Sequence, residues 1–257
     1  MRTADEVERQ IELLILEGVL RVGERLPGER DLSRQFDVSR PILRDALKSL
    51  EGRGLLNTRH GGGTVVADVI GQVFSQPIID LIAKHGKATA DYLEFRREID
   101  GLAAEFAAGR ATEDDRTLIA GIVARMEAAH EKVDFEEEAE IDVELHNAIG
   151  EAAHNMILLH TLRSCYRLVS EGVFYNRAVV YQLPGARDKL LAQHKAIAAV
   201  VLSGDAAKAR AAAEAHIRFV EDSMRLAERN EAWQRISRLR MRQRHDASAT
   251  LAGDDAS

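Results

Sequence analysis

Residues 26–47, LPGERDLSRQFDVSRPILRDAL, constrain this chain more than any other segment. They read as a short helix, a tight turn and a second helix with a cationic front. The second helix begins at Ser39, whose hydroxyl can cap the free N–H groups of the first turn. Pro41 falls inside that turn, where a missing N–H costs nothing. Leu43, Ala46, Leu47 and Leu50 recur at i, i+3, i+4 and i+7 and mark a buried stripe. Arg40, Arg44 and Lys48 step by four along a different face and project together. A helix with an apolar back and a cationic front fits the DNA major groove. Leu32 and Phe36, four apart on the preceding helix, can lie beneath it. Residues 55–59 and 64–66 have strand character on either side of His60-Gly61-Gly62-Gly63, so a hairpin wing is expected. The plainer alternative is a helical hairpin with solvated arginines. The cap, the cationic face and the glycine tip occur together and in order, which favours the winged helix. A phosphate loop is not supported, because no Lys-Ser/Thr pair follows the glycines.

The net charge of −7 seems wrong for a nucleic-acid binder until it is divided along the chain. Residues 1–66 carry 11 basic and 11 acidic side chains, whereas residues 67–257 carry 24 and 31. Within 39–60, Arg40, Arg44, Lys48, Arg53 and Arg59 stand against Asp45 and Glu51, a local excess of +3. Positive charge is thus concentrated where a groove would be met. A chain of 257 residues has room for two domains with cores of their own. Cys165 is the only cysteine, so no intrachain disulfide can form and a reducing cytoplasm is expected. The N-terminus is charged and no apolar run nears the ~18 residues a membrane span needs, so no membrane partner is expected.

Beyond residue 76 the pattern is almost wholly helical. Helices are expected near 77–84, 89–109, 113–131, 135–152, 155–180, 185–202 and 206–238. Thr112-Glu113-Asp114-Asp115 resembles a capping box, Asn155 can cap the helix after it, and Pro184-Gly185 and Ser203-Gly204-Asp205 separate the last helices. The expected fold is mostly α, an N-terminal winged helix-turn-helix followed by an all-α antiparallel bundle. The expected division is 1–68 for the first domain, 69–76 for a linker, 77–230 for the bundle, and 231–257 for a basic and then disordered tail. Six arginines between 229 and 244 give that tail its charge. Glu136-Glu137-Glu138 reads as the acidic first turn of a helix.

Three of the expected helices offer metal-type ligands. Asp142 and His146 are four apart and share a helix face, His194 lies in an apolar-striped helix, and His216 lies in the next. One carboxylate and three imidazoles suit Zn²⁺ best, with Ni²⁺, Mn²⁺ or Fe²⁺ also accommodated, and leave coordination positions open. Each residue alone reads equally well as a core or surface histidine, and Asp142–His146 as an intrahelical ion pair.

The motifs LPGERDL, VSRP, LRDAL and GLL in residues 26–56 resemble the N-terminal domain of GntR-type bacterial transcriptional regulators. That resemblance implies operator contacts by Arg30, Ser39, Arg40 and Arg44, with His60 and Gly61 at the wing tip. The helical half resembles the FCD effector-binding domain of the FadR-type branch. In its metal-binding members the counterparts of Asp142, His146, His194 and His216 ligate a divalent cation. Leu93-Glu94-Phe95-Arg96 also matches the family, which implies that Arg96 meets an effector carboxylate; internal pairing of Arg96 with Glu94 or Asp100 is the alternative. The resemblance covers residues 5–228 and implies a homodimer on a pseudo-palindromic DNA operator. The expected function is that of a repressor, and an arginine facing an open metal points to a small organic acid effector such as lactate, pyruvate, glycolate or a sugar acid. Two other readings remain: a regulator for which the metal is itself the signal, and a metal-dependent hydrolase or lyase with Glu144 or Glu214 as base. The chain carries no nucleophile elbow, Cys–His pair or dinucleotide fingerprint.

Overall fold

The computed structural model describes residues 3–59, 63–68, 85–170, 180–181 and 183–254. The wing-tip residues His60 and Gly61, the linker 69–76 and the expected helix 77–84 lie outside these described residues.

The chain opens with helix α1 (Ala4–Leu16), started by a full capping box in which Thr3 and Glu6 satisfy each other's backbone N–H groups. Helices α2 (Glu29–Gln35) and α3 (Arg40–Gly52) follow. They are joined through Asp37, whose φ of 54° places it in the left-handed region that a short Asp side chain tolerates. Strands β1 (Leu56–Arg59) and β2 (Gly63–Val66) pair antiparallel, with Leu56 opposite Val66 and Arg59 opposite Gly63. A bridge from Arg25 to Val65 ties the α1–α2 connection to the hairpin. Val7, Ile11, Ile15, Leu32, Phe36, Leu43, Ala46, Leu50, Leu56 and Val66 form one core. The expected stripe on α3 is therefore buried at 43, 46 and 50, with Leu47 half-buried at its edge. This is a winged helix.

Ser39 occupies the N-cap of α3, but its side chain makes no capping bond, contrary to the sequence expectation. Its backbone is extended and its carbonyl accepts from Leu43 N–H. Pro41 removes the second of the two N–H groups such a hydroxyl can serve, and the hydroxyl accepts nothing from the third, on Ile42.

The second core belongs to α4 (Gly86–Arg110), α5 (Glu113–Lys132), α6 (Phe135–Ala152), α7 (Met156–Ser170), α8 (Ala186–Ser203) and α9 (Ala206–Asp254). Thr112 and Asp115 complete the capping box of α5, and Asn155 accepts from Leu158 N–H at the start of α7. Gly204 ends α8 with φ of 79°, a conformation that favours glycine. Buried Ala103, Ala104, Ala107 and Ala108 give α4 a small-residue face, and Ala209 and Ala213 do the same for α9, so the two helices approach closely. At Gly101 a Cβ would lie 3.0 Å from Glu214 Cγ.

One expected boundary lies outside the described residues and another shifts. Helix α7 is described as far as Ser170, and residues 171–179 of the expected longer helix lie outside the described set. The last helix, expected to end near 238 and give way to a disordered tail, continues to Asp254. Between Ala206 and Gly253 there is neither glycine nor proline, and alanine, arginine and glutamate dominate, so local propensity carries the helix past its own core.

Leu145 is completely buried where α6 meets the second core. Leu145→Ala is expected to lower stability by about 2–5 kcal/mol through lost burial and a residual cavity; urea unfolding followed by circular dichroism measures it.

Candidate functional site

The centre of the helical unit is polar. His146 from α6, His194 from α8 and His216 from α9 are all buried, and one ring nitrogen from each can be chosen so that all three lie within 4.8 Å of one another. Their ring centroids are 4.4 Å (194–216), 5.3 Å (146–194) and 5.4 Å (146–216) apart. Asp142, one turn before His146, brings Oδ1 to 2.7 Å from His194 Nε2. All four residues singled out as ligands thus converge, although they come from three helices and span 75 positions of sequence.

Two further side chains aim the rings. His216 Nδ1 lies 3.1 Å from Gln193 Oε1, and His146 Nδ1 lies 3.4 Å from Asp100 Oδ1. A ring that donates from Nδ1 keeps its lone pair on Nε2, the arrangement in which outer carboxylates or amides fix metal-ligating imidazoles. Burial, then the neighbouring His194 and His146, holds the His216 pKa well below its ordinary value, so the ring is neutral and able to ligate. Three imidazoles and a carboxylate are a donor set that fits a divalent cation.

Beside the histidines sits a second buried group. Arg96 on α4 reaches Asp100 through Nε at 3.2 Å and Nη2 at 3.1 Å, and Nη2 also donates to Tyr166 Oη at 2.6 Å. The Tyr166 hydroxyl in turn donates to Asp100. The Tyr166 ring stacks on His146 at 5.0 Å and lies under the Arg96 guanidinium at 4.2 Å. Burial opposes both charges, yet each stabilises the other. Asp100 keeps Arg96 more firmly protonated than usual, while Arg96 and then His146 hold the Asp100 carboxyl below the ordinary carboxylate range. Arg96 therefore adopts the internal pairing that the sequence left open. Asp100, Tyr166 and Gln193 were not among the expected site residues. Only Asp100 had a readable signal, its i+4 spacing from Arg96.

Space is limited. A cavity of about 20 Å³ lies between Asp142, His194, Arg187 and Tyr181, and one of about 10 Å³ beside Asp100 and His146. Each is on the scale of a single water or ion. Glu138, in the acidic first turn of α6 as read, is buried and takes two donors from Arg187 and one from Tyr181. The possible general bases are both engaged: Glu144 with Arg125, Glu214 with Arg210 and Arg218.

At the other end of the chain, α3 presents Arg40 and Arg44, with side chains 56% and 59% exposed. Glu29 on α2 accepts from both, at 3.3 Å and 2.8 Å, and so fixes two guanidiniums with one carboxylate while leaving their other N–H groups outward. Burial works against the Glu29 charge, but hydrogen bonds from Arg44 and Arg40 hold its pKa below the ordinary value. Arg30 is 75% exposed beside Asp31, and Ser39 is half-buried with its hydroxyl unused by the helix cap. His60 and Gly61 are outside the described residues.

Residues 3–66 match the family described as bacterial regulatory proteins, gntR family, and residues 91–219 match the FCD domain. The chain is 37% identical, over 93% of its own length and 93% of the relative's, to the Escherichia coli "Putative L-lactate dehydrogenase operon regulatory protein". It is 34% identical to the Escherichia coli Glc operon transcriptional activator, over 85% and 87% of the two chains. Among solved structures it resembles Streptococcus agalactiae GntR with a TM-score of 0.53 and 25% identity, covering 86% of this chain and 99% of that one.

Titration of the chelator-treated protein with Zn²⁺, followed by calorimetry, is expected to give one site per chain. Gln193→Ala, which removes only an orienting partner, should weaken it about 10- to 100-fold; an unchanged isotherm would show that the Gln193 contact does not orient a ligand.

Proposed function

This chain belongs to the GntR family of regulators with an FCD domain, and from that premise we propose that it controls transcription in answer to a small hydroxycarboxylate bound at a divalent metal. The observation that carries the reading is the convergence of Asp142, His146, His194 and His216 beside a buried Arg96. Such a metal would supply a Lewis-acidic centre for carboxylate and hydroxyl oxygens. Arg96 would offer two parallel N–H donors to the same carboxylate. The relative named for an L-lactate dehydrogenase operon favours lactate and acids of its size as the effector class. The protein is a regulator and not an enzyme. A purely metal-responsive regulator is the second reading, favoured by cavities of only about 10 and 20 Å³ at the site.

On the DNA side, Arg40 and Arg44 would meet base edges or phosphates from α3, Arg30 and Ser39 would hold the backbone, and His60 and Gly61 would enter from the wing. A homodimer on a pseudo-palindromic operator follows from one recognition helix per chain. Repression is the sign we assign, since a protein seated in the groove excludes polymerase without another partner. The division at 1–68, 69–76 and 77–230 stands as part of this reading.

In thermal denaturation of Zn²⁺-loaded protein, L-lactate or glycolate at ~100 times its dissociation constant should add about 2.7 kcal/mol of stability. Arg96→Ala should abolish that shift. A shift from Zn²⁺ with none from any short hydroxy or keto acid would favour the metal as signal. Arg44→Ala should cost about 1–3 kcal/mol of operator affinity without changing the unfolding midpoint. Fluorescence anisotropy on the chain's operator, once selected from random DNA, measures this, and equal affinity would remove Arg44 from the contacts.

A further inference from the structure

Helix α7 touches both the buried cluster and the winged helix. His160, Arg163 and Arg167 lie at i, i+3 and i+7 on one face. His160 Nε2 is 2.7 Å from the Leu16 carbonyl at the end of α1, and Arg163 Nη2 donates to the Gly18 carbonyl at 3.3 Å. Arg167 meets Asp68, just after β2, at 2.7 Å. Glu151, at the end of α6, accepts from Arg163 at 2.5 Å and from Arg21 of the first unit at 3.2 Å. On the adjoining flank of the same helix, Tyr166 bonds Arg96 and Asp100 and stacks on His146.

The contact at Gly18 is specific. Its φ is +74°, a conformation that favours glycine, and a Cβ there would lie 2.5 Å from Arg163 Nη1, so any larger residue would push the guanidinium aside. Next to it, a cavity of about 280 Å³ separates the two units, with Ile15, Leu20, Val22, Val143 and Tyr166 in its wall. The helix therefore has room to move on the side that faces the winged helix. Asn147 Oδ1, buried with no hydrogen bond among the described residues, belongs to a residue lining the same cavity.

We propose that Tyr166 is the positioning residue that couples the buried Arg96–Asp100–His146 cluster to the DNA-facing unit, with Arg163 over Gly18 as the latch it sets. Any carboxylate that draws Arg96 from Asp100 rearranges the two hydrogen bonds of Tyr166. A shift of Tyr166 is a shift of α7, and α7 carries Arg163, His160 and Arg167 with it. The regulatory meaning of this link rests on the effector reading above, whereas the mechanical link does not require a ligand.

Hydrogen exchange by mass spectrometry on the full chain tests the link directly. Leu20 N–H donates to Leu14 O and Gly23 N–H to Val66 O, so residues 14–23 report on the latch. Tyr166→Phe removes one hydroxyl, and Asp100→Asn one charge, and neither group hydrogen-bonds or pairs with the first unit among the described residues. Both are expected to speed exchange at residues 14–23 by tenfold or more while residues 40–52 remain unchanged. Gly18→Ala should reproduce the effect while leaving Zn²⁺ affinity as in the wild type. Exchange at 14–23 that is unchanged in Tyr166→Phe, or that rises equally along the whole chain, would overturn the coupling. Two variants guard against a misfolded Asp100→Asn. If Zn²⁺ and lactate fail to bind, the effector reading falls, but the exchange comparison still decides the mechanical link.

Discussion

A charged pair buried at the centre of a helical bundle sets the terms for everything around it. Arg96 and Asp100 are each about 95% removed from solvent. Taking two charges out of water costs several kcal/mol per ion unless their remaining donors and acceptors are met. Tyr166 and His146 meet them, and each comes from a different helix. The network thereby fixes the relative placement of α4, α6 and α7, and α7 holds the end of α1 and the residue after β2. A well-packed apolar centre would be at least as stable. The polar one leaves a site whose arrangement can change when another carboxylate or a cation competes for the same groups.

Much of this was legible in the sequence because the signals were local. The α3 stripe, its arginine face, the Thr112 box and the Asn155 cap are patterns confined to one turn or a few, and each appears as read except the Ser39 cap. The four metal-type ligands could be listed because spacing and family resemblance mark the residue types. What spacing cannot convey is which nitrogen faces inward, and that depends on Gln193 and Asp100, whose roles arise only from packing between helices. Glu138 shows the same limit: it stands in the acidic first turn as read, but its pairing with Arg187, 49 residues later, cannot be read from that turn. The length of α9 is the opposite case: the composition near its end points away from helix, yet the continuous helix propensity before it carries the helix to Asp254.

The cavities bear on how a ligand could act. Spaces of about 10 and 20 Å³ admit an ion or a water but no organic acid, so the described arrangement is closed. A protein in a closed state binds an acid only through a state that opens, and the acid shifts the balance only by its preference for that open state. The group with the most to exchange is Asp100, because an incoming carboxylate can replace it on Arg96 with the same charge and the same two acceptor oxygens. Displaced, Asp100 would be a buried anion short of its main partner, still 3.4 Å from His146 Nδ1. A cation held by His146 Nε2 would strengthen that contact by making Nδ1–H a better donor. Under the proposed function, metal and acid would then be coupled through Asp100. By thermodynamic reciprocity, whatever each does for the other's affinity the other returns in equal measure.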